Sequence, residues 1–246
     1  MPKTQFDTPV KLDALAIAAH RDDIEITCGG LMIKLADLGH TTGALDLTQG
    51  EMGTLGDEKD RAREAAHAAE IMGLSYRGNL RFPDAAIEYG RTERLKIAQI
   101  IRDTAPQLVI LPYWQQRHPD HLTASLLGFD ACFLAGLKKL PGLNGAPHRP
   151  RKIIYCSTFR DVSHSFYVDI TAQAERKEQA VAAYASQFGQ GEKSRQIFNP
   201  GSEIHELMRT THRFYGHKVG VQYAEAFSIR ESILIDDPLV MPVRSI

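Results

Sequence analysis

The feature that most narrows the fold is an alternation in the first half of the chain: short apolar runs take turns with longer helix-like stretches. Lys11 to Ala19 reads K-L-D-A-L-A-I-A-A and stops at His20. A nearly continuous apolar run of this length is the pattern of a strand buried on both faces of a parallel sheet. Ile24 to Leu38 carries apolar residues at helical spacing and is broken by Gly39. Thr41 to Leu47 is the second strand candidate, followed by a glycine-punctuated loop, Thr48 to Gly56 (T-Q-G-E-M-G-T-L-G). Asp57 to Met72 is rich in Ala, Arg and Glu and stops at Gly73, which predicts a helix with a glycine terminator. Leu74 to Phe82 predicts a short strand plus loop closed by Pro83. Arg91 to Thr104 predicts a helix, and Gln107 to Leu111 (Q-L-V-I-L) a third buried strand ended by Pro112. A helix is expected to begin near Pro119. This order predicts an α/β fold with a mostly parallel sheet, flanking helices and right-handed crossovers.

The second half is less regular. Leu140 to Arg151 is a surface loop by composition. Strands are expected at Lys152 to Thr158 and Ser165 to Asp169, a helix over Ala172 to Phe188, and a mobile polar stretch from Gly189 to Ser202. A helix from about Ser202 and a strand near Gln222 to Ile229 complete the chain. No internal repeat, low-complexity tract or boundary interrupts residues 1–246, so one domain is expected. With 43% hydrophobic residues, 246 residues suffice for one sizeable core.

The 29 basic and 30 acidic residues nearly cancel, which argues against a nucleic-acid partner or a polybasic membrane anchor. No apolar run approaches the roughly 18 residues of a spanning helix. Met1 to Val10 is polar and lacks a signal-peptide core, so a cytoplasmic protein is expected. Cys28, Cys132 and Cys156 are far apart and form no C-x-x-C pair, so they read as buried free thiols rather than a thiolate metal site. No G-x-G-x-x-G follows the first strand, which disfavours nucleotide binding.

Two polar clusters follow buried strands. The first is His20-Arg21-Asp22-Asp23, after the first strand; the second is His118-Pro119-Asp120-His121, after Gln107 to Leu111. Sites in open α/β sheets form beyond the carboxyl ends of strands. An imidazole and two carboxylates there are costly to bury without a partner, and a metal ion would satisfy them. Pro119 suits the first turn of a helix, so His118 and His121 can share a face. A catalytic zinc takes three protein ligands and leaves a position for water, a count that two histidines and one carboxylate meet. Fe(II), Co(II) or Mn(II) could use the same donors. Each cluster also has an ordinary reading: His20 as a structural residue, Asp22 or Asp23 as a helix N-cap, and H-P-D-H as a turn entering a helix. It is the pair of clusters that argues for a metal site.

The motifs Ala19-His20-Arg21-Asp22-Asp23 and His118-Pro119-Asp120-His121 resemble those of the LmbE-like (PIG-L type) zinc-dependent N-deacetylases. The likeness extends to Cys28-Gly29-Gly30, Leu47 to Glu51, Arg61, Glu64 and Asn79 to Asp84. It continues in Ala183-Tyr184-Ala185-Ser186-Gln187-Phe188 and Gly220 to Phe227, and so spans nearly the whole chain. Within that family the chain looks most like the bacillithiol-biosynthesis deacetylase of N-acetylglucosaminyl-malate. The resemblance implies a Rossmann-like sheet, a small-molecule N-acetyl sugar substrate, acetate and a free amine as products, and a homo-oligomer. It implies that His20, Asp23 and His121 ligate zinc and that Asp22 is the general base. His118 would stabilise the oxyanion with help from Asp120, and Arg61 and Asp84 would contact the substrate. A substrate carboxylate such as malate would suit Arg61; a helix-surface ion pair with Glu64 or Asp57 is its ordinary alternative. The family's usual proline is Arg21 here, a cation expected to point to solvent or to an acidic group. Another N-acyl sugar of the chitobiose type, or metal or sugar binding without turnover, is the alternative function.

Overall fold

The computed structural model describes residues 8–157, 162–188 and 204–243. The expected mobile stretch from Gly189 to Ser202, the first residues of the helix after it and the end of the Lys152 to Thr158 strand fall outside them. The strands are β1 (Ala14–Ala18), β2 (Thr42–Thr48), β3 (Tyr76–Phe82), β4 (Leu108–Pro112), β5 (Lys152–Cys156), β6 (Phe166–Asp169) and β7 (Ala224–Ser228). They form one sheet in the order β3-β2-β1-β4-β5-β7-β6. The first five pair in parallel, whereas β7 runs antiparallel to both β5 and β6. All five residues of β1 and all seven of β2 are buried, as strands covered on both faces must be.

The helices are α1 (Asp23–Asp37), α2 (Glu58–Met72), α3 (Arg91–Thr104), α4 (Pro119–Ala135), α5 (Ala174–Ala182), α6 (Ala185–Phe188) and α7 (Ile204–Val219). One face of the sheet packs Leu15, Ile17, Leu45 and Val109 with Ile97 and Ile101 of α3 and Leu127 of α4. The other packs Ala16, Ala44 and Ile110 with Met32 and Ile33 of α1, Ala68 and Met72 of α2 and Ala180 of α5. The three cysteines are buried and unpaired, as expected. No helix among the described residues is long and apolar enough to cross a membrane.

The helix expected over Ala172 to Phe188 is interrupted. A 3-10 turn at Thr171–Gln173 leads into α5, and α6 restarts after Ala183 and Tyr184. Neither glycine nor proline breaks it. The Ser186 N–H and Oγ both bond the Glu64 carboxylate at 2.7 Å, and the Tyr184 hydroxyl turns into the core.

Helix α1 is also broken, at Cys28 (φ −138°, ψ 15°). Groups freed by the break find buried partners, as they must. The N–H groups of Gly30 and Leu31 donate to the Glu225 carboxylate at 2.7 Å each. The Ile26 carbonyl accepts from Lys177 Nζ at 2.9 Å, and that ammonium pairs with Glu225 at 2.6 Å. A Cβ on Gly30 would lie 2.8 Å from Glu225 Oε1 and Ile170, so the Cys28-Gly29-Gly30 motif is what lets β7 reach the break.

Candidate active site

Strand β1 sends the chain to β2 on one side, while β4 lies on its other side. This reversal of direction opens a crevice at the carboxyl ends of β1 and β4. His20 to Asp23 follow β1, and His118 to His121 follow β4, so the topology brings the two clusters together.

The Asp23 carboxylate closes the first loop by accepting from the His20 N–H at 2.9 Å. Asp23 Oδ2 lies 3.3 Å from His20 Nδ1 and 3.2 Å from His121 Nε2. The two ring nitrogens are 3.2 Å apart. Tetrahedral bonds of about 2.0–2.1 Å separate ligand atoms by about 3.3–3.4 Å, so the three donors fit one zinc-sized divalent cation. His118 and Asp120 with His20 make a second, overlapping group that could hold a metal ion, its atoms within 4.8 Å of one another.

The charges agree with the geometry. Burial alone would lower the His20 pKa, but Asp23, Asp120 and Asp84 outweigh it and push it up to about 12. Burial would raise Asp23, yet His121 and His20 hold it well below the usual carboxylate range. An environment so favourable to positive charge suits a cation.

The other expected residues surround this triangle. Asp84 Oδ1 lies 3.1 Å from His20 Nε2 and accepts from the Ala85 N–H, and Oδ2 accepts from the Met52 N–H at 3.0 Å. Burial opposes its ionisation, but His20 and these N–H groups take its pKa down to about 2. Asp120 Oδ2 accepts from Ala85 N–H at 2.7 Å and lies 3.6 Å from His20 Nε2. His118 is the N-cap of α4, its Nδ1 accepting from the Asp120 N–H at 3.2 Å. Burial and the neighbouring His20 and His121 lower its pKa, so the neutral ring carries its proton on Nε2.

Three expectations need correction. Neither Asp22 nor Asp23 caps α1 through its side chain; Asp22 occupies the N-cap position without a capping bond, because Asp23 serves the histidines and Asp22 faces Arg61. Arg61 forms no surface pair with Glu64 or Asp57. It is 5% exposed, with Nη2 3.4 Å from Asp22 Oδ1 and Nη1 donating to the Gly50 carbonyl at 3.0 Å. Arg21 points neither to solvent nor to a carboxylate bond: it is buried and donates to the Glu58 carbonyl at 2.8 Å. The cation beside Asp22 is therefore Arg61.

The sequence reading missed a buried network beneath the His20 to Asp23 loop. Arg77 bonds Asp46 bidentately at 3.0 Å through Nε and Nη2, and also bonds Glu25 and the Arg21 carbonyl. Tyr184 donates to that same carbonyl and lies 3.1 Å from Glu25. Its signal was Asp46, a carboxylate inside the apolar run of β2, which needs a buried partner.

Comparison with known proteins identifies the family. Residues 15–132 match the family model PIG-L, GlcNAc-PI de-N-acetylase. The diacetylchitobiose deacetylase of Thermococcus kodakarensis is 32% identical over 237 residues, covering 90% of this chain and 84% of that protein. The crystal structure of the conserved protein TT1542 from Thermus thermophilus superposes with a TM-score of 0.83 at 40% identity, over 91% of this chain and 97% of that one. The N,N'-diacetylchitobiose deacetylase from Pyrococcus horikoshii, solved with its inhibitor MPG, gives a TM-score of 0.74 at 26% identity, over 87% and 82%. With both clusters gathered at one strand edge and this identity along nine-tenths of its length, the chain belongs to the PIG-L family of deacetylases and is an N-deacetylase, a hydrolase of amide bonds.

Proposed function

We propose that this N-deacetylase removes the acetyl group from an N-acetylglucosamine-type sugar at one divalent metal, zinc in the first instance, held by His20, Asp23 and His121. The observation that carries the proposal is the near-equilateral set of donor atoms, with sides of 3.2 to 3.3 Å. When bound, the cation supplies Lewis acidity towards the amide carbonyl and makes water a nucleophile near neutral pH. The rest falls to side chains. Asp84 accepts a hydrogen bond from the His20 Nε2–H, which keeps the proton on Nε2 and leaves Nδ1 free as a donor atom. Asp22 accepts the proton of the attacking water and returns it to the leaving amine, steadied by Arg61. His118, its Nδ1 committed to the Asp120 N–H, has Nε2–H to offer the oxygen that gains charge. Asp120 holds Ala85 and so the position of Asp84.

N,N'-diacetylchitobiose is the first substrate to try, since two of the relatives are deacetylases of that sugar. N-acetylglucosaminyl-malate is the second. It would need a free cation for its carboxylates, and Arg61 is buried and engaged with Asp22 and Gly50, which favours the uncharged disaccharide. In this proposal Arg61 and Asp84 act first on the site's own groups, and substrate contact comes second.

The test is acetate release from both sugars by the zinc-loaded protein. Asp22→Ala should lose about 100- to 10,000-fold in kcat. Failure to release acetate from either sugar would end the substrate proposal, and a wild-type rate in Asp22→Ala would end the assignment of the base.

A further inference from the structure

The segment Ala183 to Phe188 belongs to no part of the chemistry above, yet three side chains in it reach the site's supports. Tyr184 is fully buried, and its hydroxyl bonds the Arg21 carbonyl, the oxygen of the Arg21–Asp22 peptide. Ser186 bonds Glu64 on α2, the helix that carries Arg61, through both N–H and Oγ at 2.7 Å. Gln187 Nε2 donates to the Leu55 carbonyl, in the β2–α2 loop. That loop also supplies the Met52 N–H to Asp84, whose own N–H donates to Glu51. A Cβ on Gly56 would lie 2.5 Å from Ser186 Oγ, so the loop is fitted closely against this segment.

We propose that Tyr184 and Gln187 are positioning residues of the active site. Tyr184 sets the loop that carries His20 and Asp23, and Gln187 sets the 49–57 loop that borders it. The reasoning concerns tolerance. Metal ligands must sit within about 0.2 Å of their distances, and His20 and Asp23 lie on either side of the peptide that Tyr184 grips. The break between α5 and α6 is where the chain makes both contacts, the Tyr184 hydroxyl to Arg21 and, from α6, the Gln187 amide to Leu55. Outer partners of metal ligands change affinity by about 10- to 100-fold, and this is the size of effect expected from one hydroxyl.

This inference rests on the metal site proposed above, so the experiment separates the two. Zinc dissociation constants are measured by competition with a chromogenic chelator, alongside kcat and KM for acetate release and the melting temperature. Tyr184→Phe should weaken zinc at least tenfold and lower kcat, with KM and melting temperature near those of the wild type. Gln187→Ala should leave zinc affinity unchanged and raise KM several-fold. If both variants match wild type in zinc affinity, kcat and KM, or lose them only in step with melting temperature, the inference is overturned and the metal site stands. A wild-type protein that takes up no zinc overturns both. Should Tyr184→Phe fail to fold, Gln187→Ala decides: a raised KM at wild-type zinc affinity supports the inference, and an unchanged KM overturns it.

Discussion

Gly50 shows how little room the site leaves. Its φ is +73°, a left-handed conformation that glycine adopts without strain, and a Cβ there would lie 1.9 Å from Arg61 Nη1. Gly50→Ala should therefore push the guanidinium away from Asp22. The expected outcome is a stability loss of about 1–3 kcal/mol in urea titration, and a fall in kcat larger than that loss explains. Asp23→Ala should abolish stoichiometric zinc binding, read by metal analysis after dialysis, because it removes the carboxylate that faces both histidines. The residues of this triangle were legible in the sequence because the chemistry is local: His20 to Asp23 directly follow one apolar run, and His118, Asp120 and His121 stand a short loop after another. The supports were not. Arg77, Glu25 and Lys177 are charged residues inside an expected strand and two expected helices, with no motif around them, and only the fold reveals that each is buried against a partner tens of residues away.

Elements that periodicity defines came out close to expectation, as with α3 over Arg91–Thr104. The two helix breaks did not, because tertiary bonds make them rather than local sequence. The break in α1 is held by Lys177 and Glu225, each about 1% exposed. Lys177→Met would leave the Glu225 carboxylate buried without its cation, and should cost about 3–5 kcal/mol in equilibrium denaturation. His212 on α7 completes this cluster, its Nε2 3.2 Å from Lys177 Nζ. Burial first, and then the Lys177 charge, holds its pKa well below 6.5. The unfolded chain therefore binds a proton more readily, so this contribution to stability is present above pH 6.5 and is lost as pH falls through and below it. Melting temperature measured from pH 7.5 to 5 should drop more steeply for the wild type than for His212→Gln.

Over the whole molecule, the parallel half of the sheet builds the site and the remainder braces it. Beyond Glu231 the described residues leave large apolar side chains outside the core: Ile233, Leu234, Leu239 and Val240 are 61 to 93% exposed. Leu122, Leu126, Phe129 and Phe133 also line an exposed stripe of α4. Apolar surface of this extent predicts self-association. Sedimentation should give a particle heavier than the 27.4 kDa chain, and truncation after Glu231 should yield a smaller one. The switch between β1 and β4 has one more consequence. His20 and His121 are 101 residues apart in sequence yet 3.2 Å apart in space. A cation between them would act as a reversible staple across that long loop, closed only while the chain is folded, so that its binding free energy is folding free energy. At a thousandfold excess over its dissociation constant it would add about 4 kcal/mol. Removing the ion with a chelator would then do more than stop turnover: it would unclasp the half of the protein that carries the catalytic groups, and proteases would find that half first.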